Sequence, residues 1–246
     1  MPDIRQGCGE FYDEAWQKWN EMIRFSPAPR LRRTRIIGWL KRYSFASLLD
    51  VGCGNGEFLL QLHRSLPDVR LAGTDISGAV IEANRQALPN LEFSTLDLDF
   101  ETLPRRYDMV TCMEVIEHCG NHADAVRHLA EMTGRCLFLT VPCGPLFEID
   151  RRVGHTHHFG PAEISQLLQS AGLRVVRLEQ WGFPFFNLYK YAINFRPDAA
   201  CAAFLSNKPY SIPQKILAVL TYAMFRISMP FGGYQLFVIA ERAGDR

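Results

Sequence analysis

The sequence has almost no net charge, no export signal and no apolar run long enough to cross a membrane. Its 27 Lys and Arg nearly match its 26 Asp and Glu, giving a formal charge of +1. This balance argues against a protein whose main role is to grip nucleic acid phosphates. The longest nearly unbroken apolar run, residues 216–225, is far shorter than the ~20 residues that span a bilayer. The amino terminus is polar and lacks the apolar core of a signal peptide. We therefore expect a soluble, globular protein of the cytoplasm.

The sequence also lacks paired cysteines and internal repeats. Its seven cysteines are odd in number and none stands in a C-x-x-C pair, so we expect reduced thiols. With 48% hydrophobic and 22% charged residues, the composition is that of an ordinary globular protein. The 246 residues can bury a core without a disulfide or a structural metal, and they fit one large domain or one domain with an insertion.

Apolar runs alternate with helical patterns through most of the chain, which is typical of a parallel sheet flanked by helices. The predicted strands are residues 47–51, 69–74, 91–96, 107–113, 135–141, 173–180 and 234–241. The predicted helices are residues 57–66, 79–88 and 123–133, with a further helix that Pro161 opens and Gly172 ends. The sequence therefore predicts an α/β fold with a seven-stranded, mostly parallel sheet, whose antiparallel last strand lies beside the sixth or in a hairpin with it.

Two segments fall outside this alternation. Before the first strand we expect two helices, residues 11–25 and 31–43, split by Ser-Pro-Ala-Pro at 26–29. Before the last strand, residues 181–233 hold 12 of the 29 aromatic residues and a single acid, Asp198. We interpret residues 1–246 as one domain. Its parts are an N-terminal helical cap (1–44), a core (45–180), an aromatic-rich insertion (181–233), and the last strand with a tail (234–246).

A glycine-rich turn, DVGCGNGE at residues 50–57, joins the first strand to the first helix. Such a turn lets the backbone approach a ligand closely and points N–H groups at it. Asp75 ends the second strand, where a carboxylate can bind two ribose hydroxyls. The alternative role for Asp75 is a helix N-cap, with Ser77 competing for it. A dinucleotide fingerprint needs glycine where Glu57 stands, and a carboxylate there suits the amino-acid end of S-adenosylmethionine (SAM) better than a pyrophosphate.

Residues 48–60, LLDVGCGNGEFLL, resemble motif I of the class I SAM-dependent methyltransferases. The resemblance continues through Asp75, Asp97 and residues 107–118, and it covers roughly residues 45–180. It implies a Rossmann-like fold with SAM as the cofactor. The implied cofactor-binding residues are Asp50, Gly52, Cys53, Gly54, Asp75, Ile76, Asp97, Leu98, Met113 and Tyr12.

The resemblance also implies a role for several of these residues. Gly52, Gly54 and the backbone near Cys53 would bind the methionine portion of SAM. Asp75 would bind the ribose and Asp97 the adenine amino group, with Asp99 as the alternative to Asp97. Tyr12 would belong to an N-terminal lid over the cofactor.

Polar residues follow the fourth strand in the sequence CMEVIEH, residues 112–118. If a helical turn starts there, Glu114, Glu117 and His118 lie at i, i+3 and i+4 on one face. Two carboxylates and an imidazole are ligands that a divalent cation accepts. Three histidines, within GHTHHF at 154–159, follow the fifth strand. The alternative is that Glu117 and His118 orient a loop while Glu114 bonds backbone near the cofactor.

This combination resembles two families, the ubiquinone-biosynthesis O-methyltransferases and the small-RNA 3′-terminal 2′-O-methyltransferases. In both, E/D-x-x-E-H and a histidine two residues before a phenylalanine hold a divalent metal. Phe159 then selects His157 over His155 and His158. The resemblance thus implies Mg²⁺ or another divalent cation held by Glu114, Glu117, His118 and His157. The expected catalytic residues are His157, His118 and Glu117, and without a metal one of these histidines becomes the general base.

The aromatic insertion indicates the kind of acceptor. In many small-molecule methyltransferases such a segment covers the acceptor pocket, which favours a lipophilic or aromatic small molecule methylated at a hydroxyl. A buried core helix or a dimer interface is the alternative for residues 181–233.

A basic run provides the case for other partners. Residues 22–49 contain seven Arg or Lys and no acid. We interpret the run as a solvated helix face, with contact to a membrane surface left open. A metal-dependent RNA 3′-terminal 2′-O-methyltransferase is the second hypothesis. The near-zero net charge argues against it. A non-catalytic SAM-binding partner or regulator is the third. The sequence gives no prediction of oligomeric state.

Overall fold

A computed structural model describes residues 23–204 and 209–242. The strands are β1 (Ser47–Val51), β2 (Arg70–Asp75), β3 (Glu92–Thr95), β4 (Tyr107–Met113), β5 (Thr133–Pro142), β6 (Leu173–Trp181) and β7 (Gln235–Arg242). The α-helices are α1 (Pro27–Leu40), α2 (Glu57–Ser65), α3 (Gly78–Ala87), α4 (His122–Met132), α5 (Glu148–Arg152), α6 (Pro161–Ser170), α7 (Phe185–Asn194), α8 (Pro197–Phe204) and α9 (Ile212–Arg226). A 3₁₀ turn spans Ile116–His118.

The seven strands form one sheet in the order β3-β2-β1-β4-β5-β7-β6. The pairs β1–β2, β1–β4, β2–β3 and β4–β5 are parallel. Strand β7 runs antiparallel between β5 and β6, and its first residue, Gln235, pairs with Pro142 at the end of β5. The prediction of a Rossmann-like, mostly parallel sheet with an antiparallel last strand is confirmed. Strand order reverses at β1 and β4, so the ligand crevice of such a sheet lies outside their carboxyl ends.

Apolar side chains cover both faces of this sheet. On one face α4 and α6 pack Leu129 and Leu168 against the strands, and both residues are fully buried. On the other face α1 and α2 contribute Trp39 and Leu59 to a second cluster. Strand β1 is buried along its whole length, as expected for a central strand covered on both sides. This rigid centre holds the strand ends that carry the polar residues.

The Ser-Pro-Ala-Pro segment was predicted to separate two helices, and a break is present at Ser26, which follows the helical residues 23–25. The second helix begins at Pro27 rather than at residue 31. Ser26 occupies the N-cap position, and Pro27 and Pro29 lie in the first turn of α1. Proline is tolerated there because the first backbone N–H groups of a helix have no intrahelical acceptor. Most of the predicted helix at 11–25, including Tyr12, lies outside the described residues, as do residues 205–208 and 243–246.

The aromatic residues of the insertion divide between core and surface. Trp181, Phe186 and Phe225 are buried and pack together at centroid distances of 5.2–5.8 Å. Trp181 also contacts Phe237 of β7. The buried-core interpretation therefore accounts for part of the segment, while Phe183, Tyr191, Phe195 and Phe231 are exposed. In the described part of the chain, no helix is both long enough and apolar enough to cross a membrane.

Candidate active site

The glycine-rich turn leaves β1 with backbone dihedrals that favour glycine. Gly52, Gly54 and Gly56 have φ values of 72°, 51° and 71°. A Cβ atom on Gly52 would lie 2.2 Å from Cγ2 of Val115, so a side chain at residue 52 is disfavoured by contact as well as by backbone strain. The N–H groups of Gly52 and Cys53 donate to the carbonyl of Thr74 at 2.8 Å. The turn is thus tied to the end of β2.

Asp75 reinforces the link between the turn and β2. One carboxylate oxygen accepts the N–H of Gly54 at 2.9 Å and the other accepts the N–H of Ser77 at 3.0 Å. Ser77, rather than Asp75, is the N-cap of α3, and its hydroxyl accepts the N–H of Val80 at 3.2 Å. The capping alternative for Asp75 is therefore wrong. Ile76, between these two residues, is half-buried.

Asp50 and Cys53 lie beneath the turn. Burial raises the pKa of Asp50 to about 7, with a further increase from the Asp75 charge and an opposing decrease from the Thr111 hydroxyl. That hydroxyl donates to the Asp50 carboxylate at 2.7 Å. Burial also raises the pKa of the Cys53 thiol. Burial therefore favours the neutral thiol of Cys53 over the thiolate.

Two acids follow β3, and they have different partners. Asp99 accepts the N–H groups of Gly120 and Asn121 at 2.9–3.2 Å, which fixes the loop before α4. Asp97 accepts the N–H of Asp99 at 3.0 Å and remains partly exposed, while burial raises its pKa. Leu98 is buried, and its carbonyl lies 2.7 Å from Nδ1 of His128. Of the two acids, Asp99 is committed to holding the backbone.

Glu114 does not share a helix face with Glu117 and His118, so that prediction is wrong. Its φ of 58° turns the chain at the end of β4, and the 3₁₀ turn begins two residues later at Ile116. The Glu114 carboxylate accepts from the Thr140 hydroxyl at 2.9 Å and the Gln235 amide at 2.8 Å. Non-glycine residues with positive φ are uncommon and concentrate at functional sites.

Arg32 of α1 completes this polar network, with its guanidinium 3.3 Å from the Glu114 carboxylate. The basic run is therefore not a uniformly solvated face. Arg33 is only 5% exposed, its Nε and Nη2 atoms have no hydrogen-bond acceptor among the described residues, and burial lowers its pKa to about 10. Arg35 pairs with Glu179. Three arginines of one helix are thus partly or fully withdrawn from solvent.

The structure groups the acids and histidines differently from the spacing prediction. Among the described residues, the ligand atoms of Glu117, His118 and His155 lie within 4.8 Å of one another, and so do those of Asp150, His155 and His158. We call these five residues the His/acid cluster, in which the two acids are buried and the three histidines are half-buried. Thr156 holds its loop by donating two hydrogen bonds to the Glu117 carbonyl at 2.8 and 2.9 Å.

His157, chosen from sequence as the fourth ligand, lies outside this cluster. Its Nε2 is 2.7 Å from the Glu163 carboxylate, and its ring contacts Phe159 and His122. Phe159 is fully buried and provides a fixed surface for the His157 ring. Because His157 also pairs with Glu163, its imidazole points towards α6. His155, rather than the predicted His157, lies near Glu117.

Burial dominates the electrostatics of the cluster. The pKa of Glu117 is raised well above its ordinary value by burial and by the nearby Glu114 charge. Burial lowers the pKa of His118, His155 and His158. Neither carboxylate oxygen of Glu117 accepts a hydrogen bond from another described residue. A buried carboxylate beside neutral imidazoles is a donor set that a divalent cation accepts.

Sequence reasoning missed Arg32, Gln235, Asp150 and Lys190. The Lys190 ammonium of α7 pairs with the buried Asp150 carboxylate. Gln235 lies 121 residues from Glu114 in sequence, and no local spacing indicates that contact. One signal was available in the sequence. The basic run contains no acid, so its arginines can pair only with carboxylates from other parts of the chain.

Comparisons with known proteins identify the family to which this fold belongs. A family model described as "Methyltransferase domain" matches residues 22–178. The ubiquinone biosynthesis O-methyltransferase of Azoarcus sp. (strain BH72) is 27% identical over 198 residues, which cover 69% of this chain and 82% of that protein. This chain is also similar in fold to two solved structures. One is the magnesium protoporphyrin IX methyltransferase from Synechocystis PCC 6803 with bound SAM, with a TM-score of 0.59, 17% identity and 99% of each chain covered.

The other is the N-methyltransferase NodS from Bradyrhizobium japonicum WM9 in complex with S-adenosyl-L-homocysteine. Its TM-score is 0.62 at 14% identity, with 96% of this chain and 98% of that chain covered. At these identities the solved structures establish the fold. The family model spans more than half of the 246 residues. Since it includes the glycine-rich turn and the polar strand ends, the chain belongs to the methyltransferase domain family and is a class I SAM-dependent methyltransferase.

Proposed function

We propose that this enzyme transfers the methyl group of SAM to a hydroxyl of an apolar or aromatic small molecule with the help of a divalent cation. The observation that carries the proposal is the buried Glu117 carboxylate, which has no hydrogen-bond donor from another described residue and faces two imidazoles. The name of the Azoarcus relative, an O-methyltransferase, supports oxygen as the acceptor atom.

The cofactor would lie along the carboxyl ends of β1, β2 and β4. Gly52 and Gly54 would approach its methionine portion, with Asp50 and Cys53 beneath and Met113 at the end of β4. Asp75 with Ile76 would face the ribose. Asp97 with Leu98 would face the adenine, and the commitment of Asp99 to backbone N–H groups supports Asp97 over Asp99. Tyr12 stays a prediction outside the described residues.

Arg33 is a further candidate for the cofactor. Its buried guanidinium has two nitrogen atoms without an acceptor among the described residues, and the nearby Glu57 raises its pKa against the effect of burial. A buried, unpaired guanidinium is costly unless an anion meets it. The carboxylate of the SAM methionine, beside the glycine-rich turn, is such an anion.

Glu117, His118 and His155 would hold the divalent cation. This ligand set differs from the sequence prediction, which also included Glu114 and had His157 in place of His155. When bound, such a cation supplies Lewis-acid polarisation of the acceptor hydroxyl. The residues fit because neutral imidazole and an otherwise unpaired carboxylate are the forms that ligate. Asp150 and Lys190 would orient the neighbouring histidines.

The residues around the cluster suit an aromatic or apolar acceptor. Phe147, Tyr191 and Tyr234 form a three-ring group with centroid distances of 5.2–6.1 Å. The hydroxyls of Tyr191 and Tyr234 lie 3.0 Å apart. Lys190 joins this group to the cluster, since its ammonium lies 5.7 Å from the Phe147 ring. Apolar walls with a few convergent polar groups are typical of small-molecule sites.

Methyl transfer from labelled SAM to a panel with two classes of acceptor tests the proposal. The panel contains catechol-type and prenylated phenols on one side and short RNA duplexes on the other, with and without EDTA. We expect phenol labelling that EDTA abolishes and Mg²⁺ restores. Labelling of RNA instead would overturn the small-molecule acceptor. Phenol labelling that is indifferent to EDTA would overturn the cation and leave a histidine base.

Two variants locate the cation. Glu117→Gln removes the carboxyl group that would ligate the cation, and we expect phenol labelling to fall at least a hundredfold while SAM affinity is retained. Glu148→Gln is the matched control, because Glu148 is exposed on α5 and pairs with Arg152. Equal activity of the two variants would contradict the assignment of Glu117.

A further inference from the structure

Helix α9 and the loop after it expose an unusual number of large apolar side chains. The exposed fractions of these side chains range from 43% to 75%. We call this surface the α9 apolar face, and its members are Ile212, Ile216, Leu217, Val219, Leu220, Met224, Ile227, Met229 and Phe231. Scattered exposed apolar residues are normal, whereas a contiguous set of this kind marks an interaction surface.

The members on α9 occupy one side of the helix. At 100° per residue, positions 212 to 224 of the face cover an arc of about 160°. The residues that α9 buries against the protein, Ala218 and Phe225, lie on the opposite side. The helix is therefore apolar on two sides, of which one packs on the core and the other is exposed.

The face continues beyond the helix. Met229 forms an isolated β-bridge with Phe183, which is itself 46% exposed. Asn187 of α7 donates to the Gly232 carbonyl at 2.9 Å and fixes the loop that carries Phe231. The exposed surface is thus held in place by hydrogen bonds at its end.

Cations border the face, and acids are missing from it. The sequence contains no Asp or Glu between Asp198 and Glu241. Lys215 and Arg226 lie at one edge of the arc, between the exposed side and the buried side of α9. The neighbouring Arg30 of α1 lies 4.3 Å above the Tyr222 ring, and Lys215 lies 4.6 Å above the Phe25 ring. The edge nearest α1 is therefore positively charged.

We propose that the α9 apolar face docks onto the surface of an anionic phospholipid bilayer, with α9 lying in the plane of the interface. Apolar side chains would enter the acyl boundary while the bordering cations contact lipid phosphates, as in interfacial amphipathic helices. The 15 residues of α9 are too few to span the bilayer. The proposal is independent of the acceptor and of the cation in the active site.

Charge favours a bilayer over a second copy of the chain. A two-fold dimer through this face would bring the same surface of each subunit together. The face carries cations at its edge and has no acid to pair with them, so self-association gains no complementary charge. An anionic lipid surface offers phosphates to the same cations.

Co-sedimentation of the full chain with vesicles tests the proposal. The probes are vesicles of phosphatidylcholine alone and vesicles that contain roughly 30% phosphatidylglycerol. We expect binding to the anionic vesicles to be at least tenfold tighter and to weaken with salt. Equal binding to both, or binding to neither, would overturn the proposal.

Substitutions locate the contact. The double variant Leu217→Glu/Leu220→Glu should lose anionic-vesicle binding at least tenfold, and Lys215→Gln/Arg226→Gln should reduce its salt dependence. Phe100→Glu is the matched control, since Phe100 is 81% exposed outside the α9 apolar face. Unchanged SAM affinity in all variants verifies folding. If sedimentation velocity shows a dimer that the leucine variant abolishes, with no vesicle binding by the parent protein, the partner is a second copy and the proposal fails.

Discussion

The Asp75 carboxylate and the backbone N–H of Gly54 are joined by a hydrogen bond of 2.9 Å between the end of β2 and the glycine-rich turn. The other oxygen of Asp75 accepts the N–H of Ser77. A carboxylate meets both donors, whereas an asparagine amide has one acceptor oxygen and places its NH₂ group against the second N–H. The charge and shape of Asp75 thus hold the turn that is proposed to bind SAM.

The Asp75→Asn variant should therefore bind SAM at least tenfold more weakly. The loss combines one unmatched buried N–H, which costs about 1–3 kcal/mol, with a displaced turn. Isothermal titration calorimetry with SAM measures the change. Asp68→Asn, at an exposed acid before β2, is the control, and equal affinities for the two variants would contradict the role of Asp75.

Asp50 should make stability depend on pH. Its pKa is about 7 in the folded protein and near 3.8 without burial, so the folded state holds a proton that the unfolded state has lost between these values. Stability therefore falls as the pH rises through this window and becomes constant above it. From pH 5 to pH 8 the parent protein should lose about 2–3 kcal/mol more than Asp50→Asn.

Urea denaturation of both proteins at the two pH values measures this difference. Other titrating groups, including Glu117, affect both proteins alike and cancel in the comparison. Parallel stability curves for the parent and the variant would show that Asp50 stays ionised in the fold.

A methyl group on Gly52 should be poorly tolerated. Gly52→Ala combines a φ of 72° with a Cβ only 2.2 Å from Val115, and we expect a loss of about 2–4 kcal/mol in the free energy of unfolding. The control is Gly38→Ala, because a Cβ at residue 38 of α1 meets no atom within 4 Å and should stabilise the helix by about 0.5–1 kcal/mol.

A second substitution separates the clash from the strain. In the double variant Gly52→Ala/Val115→Ala the contact is relieved, so part of the loss should be recovered while the backbone strain persists. If the losses in the free energy of unfolding of the two single variants simply add in the double variant, Val115 moves away freely and the clash has no cost.

Lys190 should be more important to stability than a surface cation. Lys190→Met leaves the Asp150 carboxylate, with only 4% of its side chain exposed, without its cation, which should cost about 3–5 kcal/mol. Arg152→Met breaks pairs with Glu148 and Asp198 that are largely exposed, and it should cost less than about 1 kcal/mol. Thermal denaturation compares the two variants.

Adding Asp150→Asn to Lys190→Met provides the decisive comparison. If the penalty comes from an uncompensated buried charge, the double variant should be more stable than Lys190→Met alone. A double variant that is still less stable would assign the loss to packing of the lysine side chain.

The sequence predicted the sheet well because its strands are short, apolar and bounded by glycine, proline or polar residues. Strands β1 and β4 begin and end where the pattern placed them. The glycine-rich turn was equally clear, since its glycines adopt the positive φ values that such a turn requires. These features depend on local chemistry.

The arrangement of the polar site was less predictable because it depends on contacts between distant residues. The spacing of Glu114, Glu117 and His118 places them together only in a regular helix, and the positive φ of Glu114 breaks that premise. The choice of His157 rested on its distance from Phe159 in sequence, whereas the hydrogen bonds from Thr156 to Glu117 bring His155 to the cluster. No sequence pattern encodes these contacts.

The position of β7 determines when the site can be completed during synthesis. Strand β6 lies at the edge of the sheet with β7 as its neighbour, and β7 follows every other described strand in sequence. While a nascent chain still lacks β7, β6 has no strand to pair with, and Glu114 lacks the amide of Gln235. The polar network around Glu114 therefore closes only after β7 has been synthesised, whereas β1 and β2, which precede and follow the glycine-rich turn, come early in the chain.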